Sequence, residues 1–118
     1  MVRLAITVLT FGFLPTVTTV AGESLGPSSA MSDAAIKLSG LVRFVAEDCP
    51  DDKPDYDRFR QVMMSLGIDL EALSSGAYVI KSMRYTEKYK ENRQINCKLA
   101  HEKFGKEGNV IPGLIIPK

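Results

Sequence analysis

Apolar side chains recur at intervals of three and four residues along much of the chain, which is the spacing of amphipathic helices. In the first half, this spacing predicts one helix over about residues 33–48, with Ser32 as its N-cap and Pro50 as its stop. A second helix is predicted to begin after the N-cap Asp55 and to end near Gly67, because glycine suits a helix C-terminus. Both boundaries rest on capping chemistry as well as on hydrophobic periodicity.

The second half of the chain continues the helical pattern. Helices are predicted over about residues 75–91 and 93–104, the last ending at Gly105. The link between the second and third helices can hold a short helical turn capped by Asp69. We therefore expect four main helices.

The last apolar segment, residues 110–117, contains two prolines and shows no helical spacing. Because exposed branched apolar side chains are unfavourable in water, we expect an extended tail packed against the helices. No segment alternates apolar and polar residues, so no strand is predicted. The predicted fold class is all-α, a small four-helix arrangement with an extended apolar C-terminal tail.

The N-terminal residues carry the pattern of an export signal. Arg3 precedes an uncharged, mostly apolar run that Pro15 interrupts, and small residues end at Ala21. This predicts a signal peptide over residues 1–21, with an uncleaved membrane anchor as the alternative. Residues 22–31 then form a flexible leader, residues 32–118 a single helical domain, and the mature protein is periplasmic or secreted.

The export prediction bears on the two cysteines, because disulfides form in oxidising compartments. Removing the first 21 of 118 residues leaves 97, and so small a domain buries only about 60–65% of its unfolded surface. A disulfide between Cys49 and Cys97 would constrain the unfolded chain by about 4 kcal/mol. Two free thiols or a catalytic cysteine are the alternatives, although neither cysteine lies in a Cys-x-x-Cys motif.

Charge is nearly balanced overall but divided along the chain. With 15 basic and 14 acidic residues, the sequence excludes a strongly basic nucleic-acid-binding protein. Residues 47–57 are mainly acidic and residues 81–106 mainly basic, and the disulfide would bring the two blocks together. The blocks either complement each other within the molecule or leave a basic, tyrosine-lined face for a protein or anionic partner. That predicted face comprises Tyr78, Tyr85, Tyr89, Lys81, Arg84 and Lys88.

Motifs for catalysis or metal binding are lacking. The acidic residues 51–57 are interrupted by Pro54 and lack the glycine of a calcium-binding EF-hand loop, so capping and solvation explain them better. His101 is the only histidine, it has no zinc-binding partner four residues later, and no serine lies in a nucleophile elbow. We therefore predict no catalytic residue, no metal and no cofactor.

The segment Asn96-Cys97-Lys98-Leu99-Ala100, followed by Phe104-Gly105-Lys106-Glu107-Gly108, carries a resemblance. Together with the signal pattern and the cysteine pair, it resembles small exported bacterial two-cysteine helical proteins, which implies a compartment but no particular activity. The two-cysteine helical layout is also similar to periplasmic acid-stress chaperones, whose single disulfide joins distant helices. The tryptophan of those chaperones is missing here.

Three functions follow as hypotheses. The first is an exported, non-enzymatic protein that binds a protein or an anionic partner, with membrane contact only through the uncleaved signal segment. The second is an acid-stress chaperone, because neutralising its carboxylates would leave a positively charged chain. The third is a small hydrolase that uses His101 as its base.

Overall fold

The computed structural model describes Gly12 and residues 29–118. Apart from Gly12, the predicted signal peptide and the leader up to residue 28 lie outside the described residues. Within the described part, the fold is mainly helical, which confirms the predicted class at that level. Its elements are α1 (Ser29–Asp48), β1 (Asp52–Pro54), α2 (Tyr56–Ser65), α3 (Leu70–Leu73), α4 (Gly76–Lys90), α5 (Arg93–Phe104) and β2 (Ile115–Pro117).

For the helices that follow α1, the predicted boundaries agree with the structure, because local capping residues set them. The Asp55 carboxylate accepts hydrogen bonds from the backbone N–H groups of Asp57 and Arg58, both at 3.1 Å, and so starts α2. Gly67 follows α2 with a φ of 72°, which a side chain would disfavour. By contrast, α1 begins at Ser29, so the predicted cap at Ser32 lies inside the helix.

The predicted four-helix count and the absence of strands need correction. The turn capped by Asp69 is a separate short helix, α3, so the described residues form five helices. Only residues 115–117 of the predicted extended tail are extended, whereas residues 110–114 form bends and a turn. The extended part is the strand β2, which pairs antiparallel with β1, with Lys53 opposite Ile116. Strands of three residues are too short to show an alternating pattern in the sequence.

Helix α1 runs through the centre of the fold, with α4 packed along it. The closest approach is at Gly40, where an added Cβ would lie 2.6 Å from the Ser82 carbonyl oxygen. The Thr86 hydroxyl donates a hydrogen bond of 2.8 Å to the Gly40 carbonyl, and both Ser82 and Thr86 are buried. A glycine on one helix and small hydroxyl residues on the other thus bring the two backbones together.

The buried apolar residues form two clusters that share α1. One surrounds Phe44 and Val45 and includes Ile115 of β2; the other surrounds Met63 of α2 and includes Ile36. Both Leu114 and Ile115 are essentially inaccessible, so the C-terminal strand is part of the core. Among the residues described, no helix combines the length and apolarity needed to cross a membrane.

Candidate functional site

The disulfide fixes the end of α1 against α5. Cys49 directly follows α1 and is 2% exposed, while Cys97 lies in the second turn of α5; their Cα atoms are 5.6 Å apart. The predicted pairing is confirmed. It places the acidic segment around β1 beside the basic helices α4 and α5.

Charge complementarity within the molecule follows directly from this arrangement. The Lys90 ammonium lies 3.1 Å from the Glu47 carboxylate and 3.8 Å from that of Asp48, and Arg93 lies 3.3 Å from Asp48. The hydrogen bond to Glu47 and the surrounding carboxylates raise the pKa of Lys90. Part of the acidic block therefore serves to hold the ends of α1, α4 and α5 together.

The six residues of the predicted binding face do not form one surface. Tyr85, Lys81, Arg84 and Lys88 do line a common shallow cavity of about 430 Å³, which also includes Asp33 and Ile36 of α1. Tyr89 does not line this cavity: its ring packs between Phe44, at a centroid distance of 5.7 Å, and Tyr85, at 6.5 Å.

Tyr78 lies outside that cavity and is 40% exposed. Of the six predicted residues, Tyr85 and the three cations Lys81, Arg84 and Lys88 share one cavity, and we call these four residues the α4 basic face. Within the part of the chain that the structure describes, none of these cations forms an ion pair. Two exposed apolar side chains, Ile80 and Met83, lie beside it.

A polar cleft of about 660 Å³ lies beside the disulfide and contains His101. Its Nδ1 is 3.2 Å from Oδ2 of Asp52, a residue that is only 8% exposed. A buried carboxylate can orient an imidazole in this way, as in hydrolases. However, no serine or threonine is among the described residues that line the cleft, and its two cysteines are joined in the disulfide. The cleft thus places an imidazole beside a buried carboxylate, with no serine or threonine among the described residues that line it.

Among the described residues, acidic and histidine side chains do not gather into a metal site. Within residues 29–118, no group of three histidine, cysteine, aspartate or glutamate residues has the geometry to hold an ion. The acidic residues around β1 are used in other ways: Asp48 pairs with Arg93, Asp52 contacts His101, and Asp55 caps α2.

An apolar cavity lies between α1, α2, the end of α4, α5 and the segment 110–112. It has a volume of about 700 Å³, and we call it the apolar groove. Aliphatic and aromatic side chains from these five segments provide most of its surface. The apolar lining residues are Ala34, Leu38, Leu41, Val62, Leu66, Tyr89, Leu99, Ala100, Phe104, Val110, Ile111 and Pro112.

Three cations lie among the residues that line the apolar groove: Lys37 from α1, Arg58 from α2 and Lys103 from α5. No aspartate or glutamate is among the described lining residues, and none of the three cations is ion-paired within residues 29–118. Arg58 is held at the edge by hydrogen bonds of 3.4 Å from its Nε to the Pro112 carbonyl and from a terminal nitrogen to the Gln61 amide oxygen. The groove is therefore apolar inside and positively charged around it.

Tyr89 contributes a ring and a phenol to the apolar groove. Burial, together with the neighbouring Tyr85, raises the pKa of Tyr89 above its ordinary value of 10.0. The Asn96 amide donates a hydrogen bond of 2.9 Å to the Tyr89 backbone carbonyl and joins α5 to the end of α4. This wall of the groove is held by a hydrogen bond as well as by packing.

The sequence pattern did not predict the apolar groove, although it predicted the apolar faces of helices that line it. Leu38 and Leu41 belong to the apolar stripe predicted for α1, and Phe104 to that predicted for α5. A periodic pattern shows which face of a helix is apolar, but not whether another element covers that face completely. Leu99, 39% exposed, and Val110, 57% exposed, are the side chains left uncovered here.

Fold and site together define a small disulfide-linked helical protein with an open apolar groove. No protein-family model matches the chain, and no match was found among curated proteins or among solved structures.

Proposed function

We propose that this chain is an exported, non-enzymatic binding protein that takes its ligand in the apolar groove. The observation that carries the proposal is a cavity of about 700 Å³ lined mainly by apolar side chains from five segments. Small-molecule sites typically measure about 300–1,000 Å³ and combine an apolar lining with a few polar groups. A ligand would cover apolar side chains that are otherwise open to water.

Export is supported by the disulfide between Cys49 and Cys97, because such bonds persist mainly in oxidising compartments. A periplasmic or secreted location remains part of the proposal. We assign no reaction to the His101–Asp52 pair, since the described lining of its cleft offers no serine or threonine to act as a nucleophile.

The α4 basic face is the second candidate binding site. Its three cations form no ion pair among the described residues, and Tyr85 lines the same cavity. An acidic protein segment would fit this face through charge. The face is shallower than the apolar groove and has fewer apolar walls, so we rank it second.

The groove proposal is tested with the neutral fluorescent probe N-phenyl-1-naphthylamine, whose emission rises in apolar surroundings. The oxidised protein is expected to bind this probe saturably. Ala34→Trp places a large side chain in the groove at an exposed helix position and should abolish the signal. Ala46→Trp, also exposed on α1 but outside the groove lining, should bind as the parent protein does.

Circular dichroism and thermal unfolding of both variants show that they are folded before binding is compared. Equal binding by the parent protein and Ala34→Trp would refute the groove as the ligand site. A different result would assign the function to the α4 basic face. In that case a labelled acidic peptide binds saturably, Lys81→Gln/Lys88→Gln abolishes this binding, and the fluorescent probe does not bind.

A further inference from the structure

We infer that the apolar groove takes a single-chain anionic amphiphile: an alkyl chain that ends in a carboxylate. The chain would lie along the apolar walls, and the carboxylate would bind at Arg58, with Lys37 and Lys103 adding positive charge to the lining. The Lys37 ammonium lies 5.8 Å from the centroid of the Tyr85 ring. This inference rests on the proposed function, because it names the ligand class for the same groove.

The sign of the head group follows from the charges around the groove. Lys37, Arg58 and Lys103 all carry positive charge, and no carboxylate is among the described residues that line the groove. Elsewhere in the described chain, cations such as Lys90 and Arg93 are paired with carboxylates. Three cations without such partners repel one another and attract an anion.

Arg58 gives the head group a defined place to bind. Its two hydrogen bonds, to Pro112 and Gln61, hold the guanidinium at the junction of α2 and the C-terminal segment. A guanidinium has five N–H donors in a planar fork, so donors remain for a carboxylate after these two bonds. Because the side chain is already held, less conformational entropy is lost when the ligand binds.

The apolar interior of the groove favours a ligand whose remaining part is hydrocarbon. Leu38, Val62 and Phe104 offer hydrocarbon surface from three different helices. A small hydrophilic anion, such as a sugar phosphate, would leave this surface in water and lose its own hydration without gaining hydrogen bonds there. An alkyl chain buries the surface and has no polar group to satisfy.

The experiment compares three ligands that share a decyl chain and differ in the head group. Decanoate is anionic, decyl maltoside is neutral and decyltrimethylammonium is cationic. Each is titrated into the oxidised protein below its micelle concentration, by calorimetry and by displacement of N-phenyl-1-naphthylamine. Decanoate should bind about tenfold more tightly than the neutral ligand, as expected for a charge-assisted hydrogen bond, and the cationic ligand should bind most weakly.

Matched double variants locate the charge effect. Lys37→Gln/Lys103→Gln should weaken decanoate binding about tenfold while leaving decyl maltoside binding unchanged. Lys81→Gln/Lys88→Gln removes the same charge from the α4 basic face and should leave both affinities unchanged. All four lysines are exposed, so neither pair of substitutions disturbs the core.

The outcomes separate this inference from the proposed function. If the three ligands bind equally and Ala34→Trp abolishes all binding, the groove is a ligand site but the inference about its head group is wrong. If no ligand or probe binds, both fail. If the α4 double variant weakens decanoate binding and the groove double variant does not, the inference is also overturned. A dimer in sedimentation that Ala34→Trp dissociates would assign the groove to a second copy of the chain and would overturn it as well.

Discussion

Gly40 is the residue on which the packing of α1 against α4 depends. An added Cβ there would lie 2.6 Å from the Ser82 carbonyl oxygen and 2.7 Å from the Tyr85 Cβ, so the two helices could not remain at their present distance. The absence of a side chain also leaves the Gly40 carbonyl accessible to the Thr86 hydroxyl. Glycine is required here for close approach, although it disfavours a helix interior.

Gly40→Ala is expected to destabilise the protein by about 1–3 kcal/mol, the usual cost of overpacking. A loss of stability would be informative, because alanine in a helix interior is otherwise favoured over glycine by about 1 kcal/mol. Urea unfolding of the oxidised protein, followed by circular dichroism, measures the change. Ser39→Ala, at the neighbouring position on α1, serves as the control and should show no comparable loss. A Gly40→Ala variant as stable as the parent would show that the two helices can separate freely.

At the scale of elements, the pairing of β1 with β2 joins the C-terminus to the core. The backbone N–H of Asp55 donates a hydrogen bond of 2.8 Å to the Leu114 carbonyl, and that of Lys118 donates to the Asp51 carbonyl at 3.0 Å. Ile115 packs in the cluster around Phe44, while Ile116 is only partly buried. Within β2, the side chain of Ile115 therefore contributes more to the core than that of Ile116.

Ile115→Ala should therefore lower the free energy of unfolding by about 2–5 kcal/mol, because it removes buried methyl groups and leaves a cavity. Ile116→Ala changes the same residue type one position later and should cost clearly less. Chemical denaturation of the two oxidised variants under identical conditions measures the difference. Equal losses would mean that β2 is not packed into the core through Ile115.

The elements that the sequence predicted best are those with local signals. The caps at Asp55 and Asp69 and the glycine at position 67 act within a few residues of the boundary they set. The β1–β2 pair was missed because its partners lie far apart in the sequence, with Lys53 opposite Ile116, and each strand has three residues.

The apolar groove could not be predicted for a related reason. Its walls come from four helices and the C-terminal segment, and its existence depends on how completely those elements cover one another. The charge complementarity around Lys90 was accessible from the sequence, because the disulfide alone brings the acidic and basic blocks together. The tyrosines were assigned to one face because their helical spacing does not reveal that Tyr89 turns toward Phe44.

For the whole molecule, the disulfide is expected to supply much of the stability. Joining residues 48 positions apart removes conformational freedom from the unfolded chain worth about 4 kcal/mol, comparable to the net stability of a small domain. The double variant Cys49→Ala/Cys97→Ala should lose roughly this amount in urea unfolding. Addition of a reductant should destabilise the parent protein to a similar extent and leave the double variant unchanged. A loss below about 1 kcal/mol would show that packing alone holds the fold.

The bond between Cys49 and Cys97 also has a topological consequence, because it encloses α2, α3 and α4 in a covalent loop. A protease that cuts once in the exposed stretch near Ser74 and Ser75 would break the backbone without releasing either piece. The N-terminal piece would keep α1 and α2, the C-terminal piece would keep α5 and β2, and the bridge would hold them together. The walls of the apolar groove would thus stay in one molecule after the chain had become two.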